Sequence, residues 1–198
     1  MTTNKLLSAF ATLSLAAFFA CGGGGGSSTP APAPTATSLA YTDPATGTGT
    51  YRLVKNASSS GAHLILDLLG PSSGTAMGAS ITLSADTSQV TWVDIPAGGT
   101  TTALMKNGTQ FNLGSGLPIQ KAKATGNVLQ ATVAQKNPTP AAALNGTLFQ
   151  VALDLKPGLG LTPGTAITLS ADGAKCQVLD GAGSIFPITV TVGTLSAH

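Results

Sequence analysis

Gly78-Ala79-Ser80-Ile81-Thr82-Leu83-Ser84-Ala85-Asp86 returns later in the chain as Gly164-Thr165-Ala166-Ile167-Thr168-Leu169-Ser170-Ala171-Asp172. In both stretches apolar residues hold alternate places. Ile81, Leu83 and Ala85 are spaced by Thr82 and Ser84, and Ile167, Leu169 and Ala171 by Thr168 and Ser170. A side-chain period of two is that of a β-strand with one face buried. The residues upstream repeat as well. Leu64, Leu66 and Leu68 alternate ahead of the first stretch, and Phe149, Val151, Leu153 and Leu155 ahead of the second. Asp67 and Asp154 take matching outward positions. Each copy therefore reads as strand, Gly/Pro-rich turn, strand, with the second turn one residue shorter. A solenoid needs about three stacked units, so two copies point to an internal pseudo-repeat within one sandwich. On this reading Leu83 and Leu169 are equivalent core positions.

Further strands follow outward from the repeat. Tyr51 and Leu53 open the domain, and Val90 and Trp92 follow the Asp86–Ser88 turn. Leu129, Ala131 and Val133 alternate with Val128, Gln130 and Thr132, and Ile188, Val190 and Val192 form the last strand. Asn107-Gly108 between Thr101–Lys106 and Thr109–Leu113 predicts a hairpin, because both turn residues tolerate positive φ. Thr139-Pro140-Ala141-Ala142-Ala143-Leu144-Asn145-Gly146 predicts one short helix near 139–145, with Thr as cap, Pro at its first position and Gly as terminator. Lys121 and Lys123 are read as a solubilising loop. About nine to eleven short strands with little helix make the chain an all-β sandwich.

The residues then resemble a known family. Gly78–Val93, an Ile-Thr-Leu strand, an Asp and a Val-Thr-Trp-Val strand, is similar to the early core strands of cohesin domains. Asn145-Gly146-Thr147-Leu148-Phe149-Gln150-Val151, followed by Leu153-Asp154-Leu155-Lys156, resembles the later cohesin segment in which a loop leads to G-x-L-F-x-V and a long strand. Ile188–Leu195 resembles the closing strand. The resemblance covers most of residues 45–195 and implies a jelly-roll sandwich related to some carbohydrate-binding modules. It also implies a non-catalytic recognition or adhesion module, since many cohesins bind dockerin domains through one sheet face. No dockerin-contacting residue carries over by motif. A carbohydrate-binding module on the same sandwich is the alternative, and exposed aromatics in a row would favour it over a flat, aromatic-poor protein-binding face.

The N-terminal segment reads as an address. Met1–Lys5 is weakly basic, Leu6–Phe19 is an unbroken run of apolar and small residues, and Ala20 precedes Cys21. The run is shorter than the ~20 residues that span a bilayer, which favours a secretory signal over a permanent span. A small residue before cysteine at the end of such a run resembles the lipobox of bacterial lipoproteins, although Phe18 stands where that motif usually has Leu. Residues 1–20 are thus read as signal peptide and Cys21 as the lipidated residue. Residues 21–38, rich in Gly then in alternating Pro, are read as a linker, and 39–198 as the domain. The expectation is an exported lipoprotein held to a membrane through lipid on Cys21. Gly22 in place of the inner-membrane Asp signal favours the outer membrane or cell surface.

Composition narrows the chemistry. Charged residues make up 8% of the chain, and the acids are seven Asp with no Glu. A formal charge of +2 supplies no basic face for phosphates, so nucleic acid is excluded as a partner. With Cys21 taken by lipid, Cys176 has no intrachain partner, and the repeat aligns it with Val90 as a small buried hydrophobe.

No enzyme is read from these residues. His63 aligns with outward Gln150 and is expected at the surface, and Gly114-Ser115-Gly116 lacks the strand–Ser–helix setting of a nucleophile elbow. Asp67 and Asp154 fall on outward strand positions, and Asp86 and Asp172 on turns. Asp180-Gly181-Ala182-Gly183-Ser184 lacks the alternate oxygen ligands of a calcium loop, so neither metal nor other cofactor is expected. Trp92, with Tyr41 or Tyr51, is the candidate sugar platform. The inward phase of Trp92, which aligns with Val178 in the repeat, favours a core role instead.

Overall fold

The computed structural model describes residues 31–47, 50–98, 103–113, 119–136 and 140–198. The expected signal peptide and Cys21 lie outside the described residues. The strands are β1 (Leu39–Thr42), β2 (Tyr51–Lys55), β3 (His63–Leu69), β4 (Thr75–Ala76), β5 (Gly78–Ala85) and β6 (Val90–Val93). Next come β7 (Met105–Asn107), β8 (Ile119–Thr125), β9 (Val128–Ala134), β10 (Ala142–Ala143), β11 (Thr147–Leu155) and β12 (Ala166–Ile167). The chain closes with β13 (Leu169–Ala171), β14 (Gln177–Leu179), β15 (Ile185–Pro187), β16 (Val190–Thr191) and β17 (Thr194–Ala197). Among the described residues there is no helix.

Two sheets of six strands dominate the fold. The first runs β16-β2-β3-β11-β6 with β7 also on β11, and the second β15-β14-β5-β9-β8 with β13 also on β5. Smaller pairings, β1-β17-β12 and β10-β4, complete the fold. The inward residues of both large sheets join in one core. Leu53, Leu64, Leu66, Leu68, Val151 and Leu153 come from the first sheet, and Ile81, Leu83, Leu129, Ala131 and Val133 from the second. Each such leucine contributes roughly 1.5–3 kcal/mol by leaving water, which is why the period-two pattern holds these strands in phase. This is the all-β sandwich that the alternation predicts.

The repeat shapes the pairing itself. In the first sheet Leu64 faces Leu153 and Leu66 faces Val151, with Ile65 opposite Ala152. In the second, Leu83 faces Ala171 and Ala85 faces Leu169, with Ser84 opposite Ser170. Exchanging the two copies leaves each set of pairs unchanged, so each sheet carries a local pseudo-twofold. In the first sheet it extends outward, since Leu53 pairs with Leu68 as Val90 pairs with Leu155. The symmetry breaks at the next strand, because β6 sits on β11 whereas its counterpart β14 sits on β5.

Four local expectations are corrected. The predicted helix near 139–145 is absent, although Thr139 itself lies outside the described residues. Ala142 and Ala143 pair with Ala76 and Thr75, Leu144 N donates to Gly74 O at 3.1 Å, and the Leu144 side chain is buried. A helix of that length gains few internal hydrogen bonds for its nucleation cost, and a strand that buries leucine prevails. The packing there is tight: a Cβ on Gly70 would meet Leu144 O at 2.1 Å.

The Asn107-Gly108 hairpin is also absent. Gly108 does not take positive φ, and Gly108 N and Thr109 N donate to Leu148 O and Thr147 O, so the chain runs on along β11. Lys121 and Lys123 lie not in a loop but on strand β8. Leu169, finally, is only partly buried, unlike Leu83.

Candidate functional site

The outward residues of the second sheet line up in rows that the strand registers define. One row is Ile119, Ala134, Gly78, Leu179 and Ile185, running from β8 to β15. At about 4.8 Å per strand it spans roughly 19 Å. Both of its ends are exposed, Ile119 at 47% and Ile185 at 61%. At its centre a Cβ on Gly78 would fall 2.6 Å from Val133 O and 2.8 Å from the Ala134 methyl, so only glycine fits. The missing side chain leaves a shallow apolar depression of about 130 Å³ between Ala134, Leu179 and Ile185.

The next rows are polar. Lys121, Thr132, Ser80, Gln177 and Pro187 form one of them, with Ser80 Oγ and Thr132 Oγ1 hydrogen-bonded at 2.8 Å. Lys123, Gln130 and Thr82 form another. The face is thus apolar along one row, neutral in the middle and basic at the β8 edge. Both outer edges are guarded. Lys121 and Lys123 stand on β8, and Pro187 on β15 brings no N–H to a further strand. Phe186, half exposed, is the ring at that edge.

The residues expected to matter fall elsewhere. Trp92 is 2% exposed and its Nε1 donates to Asn127 O at 3.3 Å. Tyr41 and Tyr51 are buried too, and Tyr41 Oη donates to Leu53 O and accepts from Gly193 N. Burial pushes the Tyr41 hydroxyl up to about 12, the Gly193 N–H opposing the rise and Asp43 adding to it. Placed in the core, the three rings offer no stacking face.

His63 is not at the surface. Its ring is buried between Asp154 Oδ1 (2.6 Å from Nδ1) and Ile95 O (2.9 Å from Nε2). The repeat positions its counterpart Gln150 against Asp67, and the structure joins them at 2.8 Å, with Asn56 Nδ2 also donating to Asp67. Asp180 Oδ1 accepts from Ala182 N and Ser184 N and so closes a turn. Cys176 is buried, and desolvation raises its thiol above the ordinary cysteine value.

No protein-family model and no curated protein sequence matches the chain. Solved structures do. The sixth cohesin of scaffoldin B from Acetivibrio cellulolyticus, in complex with a Cel5 dockerin mutant, is 14% identical with a TM-score of 0.55, over 75% of this chain and 97% of that one. The second type II cohesin module of the ScaA adaptor scaffoldin from the same organism is 12% identical with a TM-score of 0.57, over 78% of this chain and 93% of that one. CaCohA2 from Clostridium acetobutylicum is 13% identical with a TM-score of 0.51, over 76% of this chain and 91% of that one.

The fold is that of cohesin domains.

Sequence reasoning missed the features that make this outer face. Ile119, Ile185 and the Gly78 trough were not singled out, although Ile119-Gln120-Lys121-Ala122-Lys123-Ala124 alternates visibly. The alternation was there to be read. The row could not be, because it joins residues from five strands.

Proposed function

We propose that this chain is a non-catalytic protein-recognition module of cohesin type that receives its partner on the outer face of the β15-β14-β5-β9-β8 sheet. The observation that carries this reading is the Ile119–Ile185 row beside a lysine-bearing edge. It is apolar at one side and without a row of rings. Buried apolar anchors supply most of the affinity at a protein interface, and edge charges steer and orient the partner. A partner with aliphatic residues and nearby carboxylates fits. A dockerin domain is the first candidate, because the scaffoldin B cohesin named above was solved with one. Polysaccharide is the runner-up, and the burial of Trp92, Tyr41 and Tyr51 argues against it.

The tether belongs to the same proposal. The apolar run Leu6–Phe19 ending at Ala20-Cys21, with the Gly- and Pro-rich linker after it, supports a lipid anchor on Cys21 at the outer membrane or cell surface. A lipid on Cys21 together with this sheet face would hold a partner protein at the envelope.

The experiment is photo-crosslinking in the native cell envelope from a probe at Thr132, in the middle of the face. A crosslinked protein whose yield falls with Ile185→Asp, by about 2 kcal/mol in measured affinity, supports the reading. Loss of cellulose or chitin retention in the same variant, with no protein captured, would sink it. For the tether, labelled palmitate should enter the wild type and not Cys21→Ser.

A further inference from the structure

The outer face of the first sheet is divided by its pseudo-twofold, which passes between Ile65 and Ala152. The chain fills one half itself. After β6 the Asp94-Ile95-Pro96 segment folds over the sheet. Ile95 packs on Ile65 and Ala152, and its carbonyl meets His63 Nε2 at 2.9 Å. The other half presents the matching chemistry without a cover among the described residues. Gln150 stands where His63 does, and donates to Asp67 as His63 faces Asp154. Asn56 pairs with Ile65 as Val93 pairs with Ala152, so Ser58 holds the place of Ile95. That turn closes on itself through Ser58 N to Asn56 Oδ1 at 2.8 Å, and Ser58 is exposed.

Over the uncovered half lies a cleft of about 840 Å³, bounded by Ser58, Ile65, Ile95, Met105, Lys106 and Gln150. That volume is in the usual range of ligand sites, about 300–1,000 Å³. Two groups at the cleft have hydrogen-bonding capacity to spare. The Gln150 amide nitrogen carries two hydrogens, and one serves Asp67. Asn107, which also lines the cleft, has a buried Oδ1 with no hydrogen-bond partner. An acceptor and a donor are both wanted, and a peptide backbone brings the two together. The apolar walls are aliphatic, which suits an aliphatic side chain better than a sugar ring.

We propose that this cleft is a second binding site, separate from the β15-β8 face, and that it takes a short extended peptide from a partner protein. The peptide carries an acidic residue, then an aliphatic one, then proline. Its aliphatic side chain lies against Ile65 and Ile95, its carbonyl accepts from Gln150, and its N–H reaches Asn107 Oδ1. Lys106 at the rim receives the acidic residue. The domain's own Asp94-Ile95-Pro96 shows how such a segment fills the equivalent half.

The test uses the full-length chain in detergent, labelled with nitrogen-15 and titrated with the peptide acetyl-Asp-Ile-Pro-Ala-amide and with its reversed sequence. Saturable shifts are expected at Ser58, Ile65, Asn107 and Gln150 and not at Lys123 or Gln130, with the reversed peptide weaker. Ser58→Leu fills the cleft from its exposed edge, as Ile95 does on the other side. It should lower affinity about tenfold, or 1.4 kcal/mol, in a protein whose spectrum otherwise stays native. Absence of saturable shifts, shifts confined to the second sheet, or unchanged binding by Ser58→Leu would each overturn the proposal. So would tighter binding of tri-N-acetylglucosamine than of the peptide at these same residues.

Discussion

Ile81-Thr82-Leu83-Ser84-Ala85-Asp86 and Ile167-Thr168-Leu169-Ser170-Ala171-Asp172 are the same six residues in two places, and the fold treats them differently. The first is one continuous strand with β9 along one edge and β13 and β14 along the other, and Leu83 is fully buried. The second is broken at Thr168. Ala166 and Ile167 pair with β17, while Leu169–Ala171 pair with β5, and Leu169 stays half open. The lesson is that a strand's pattern sets which side chains share a face. The strand's neighbours set how much that face is worth.

Leu83→Ala breaks or confirms this contrast most directly. Removing a fully buried leucine from the middle of a sheet costs about 3–5 kcal/mol, whereas Leu169→Ala should cost about 1 kcal/mol, both read from urea melts. Equal losses would mean that the copies are packed alike after all. The next effect belongs to the matched polar pairs on the first sheet. His63→Ala strands the Ile95 carbonyl beneath its own loop and removes the partner of Asp154, for about 2–3 kcal/mol. Gln150→Ala faces an open cleft and leaves Asp67 its Asn56 bond, so about 1 kcal/mol is expected. Gln150→Ala proving the costlier change would show that the uncovered half, not the covered one, is the structural one.

Cys176 and Val90 are counterparts of nearly conserved volume, so Cys176→Val should change stability by about 1 kcal/mol or less. Native Cys176 should react slowly with a thiol reagent and quickly once unfolded, since burial both shields the sulfur and raises its thiol. Fast native labelling would contradict its place in the core.

The smallest effect separates the two turn aspartates. Both sit below the ordinary aspartate value, Asp86 chiefly through the Ser88 hydroxyl and amide, and Asp172 chiefly through Lys175 at 2.8 Å. A lowered folded value means that each adds stability above the unfolded value of about 3.9 and loses it as pH falls through the folded one. Salt screens the ion pair far more than the hydroxyl bond. Carboxyl NMR titrations in 1 M salt should therefore move Asp172 upward and leave Asp86 nearly unmoved. Equal movement would remove the distinction.

Much of the architecture was legible. Leu64–Leu68, Ile81–Ala85, Leu129–Val133 and Val151–Leu155 alternate over long enough runs that only a strand buries their apolar side. The repeat then anticipated that Asp67 and Asp154 share an outward phase. Short segments were misread where local chemistry pointed one way and long-range partners the other. Pro140-Ala141-Ala142-Ala143 has helix-forming residues and a terminating Gly146, yet β4 lay within reach and Leu144 had a core to enter. Asn107-Gly108 has hairpin residues, yet β11 was already extended beside it. His63 looked outward by alignment with Gln150 and was outward in phase. It was buried because Ile95, far along the chain, folded over it.

From the sequence alone follow the all-β class, the inward phase of β3, β5, β9 and β11 and the presence of two repeat copies, because these rest on side-chain period and turn chemistry within a few residues. The tertiary structure alone decided which copy of Ile-Thr-Leu-Ser-Ala-Asp became central and which became an edge. It alone joined Ile119 to Ile185 across five strands and closed one half of the first sheet while leaving the other open. Those outcomes depend on contacts between residues distant in the chain, where no local period carries the information.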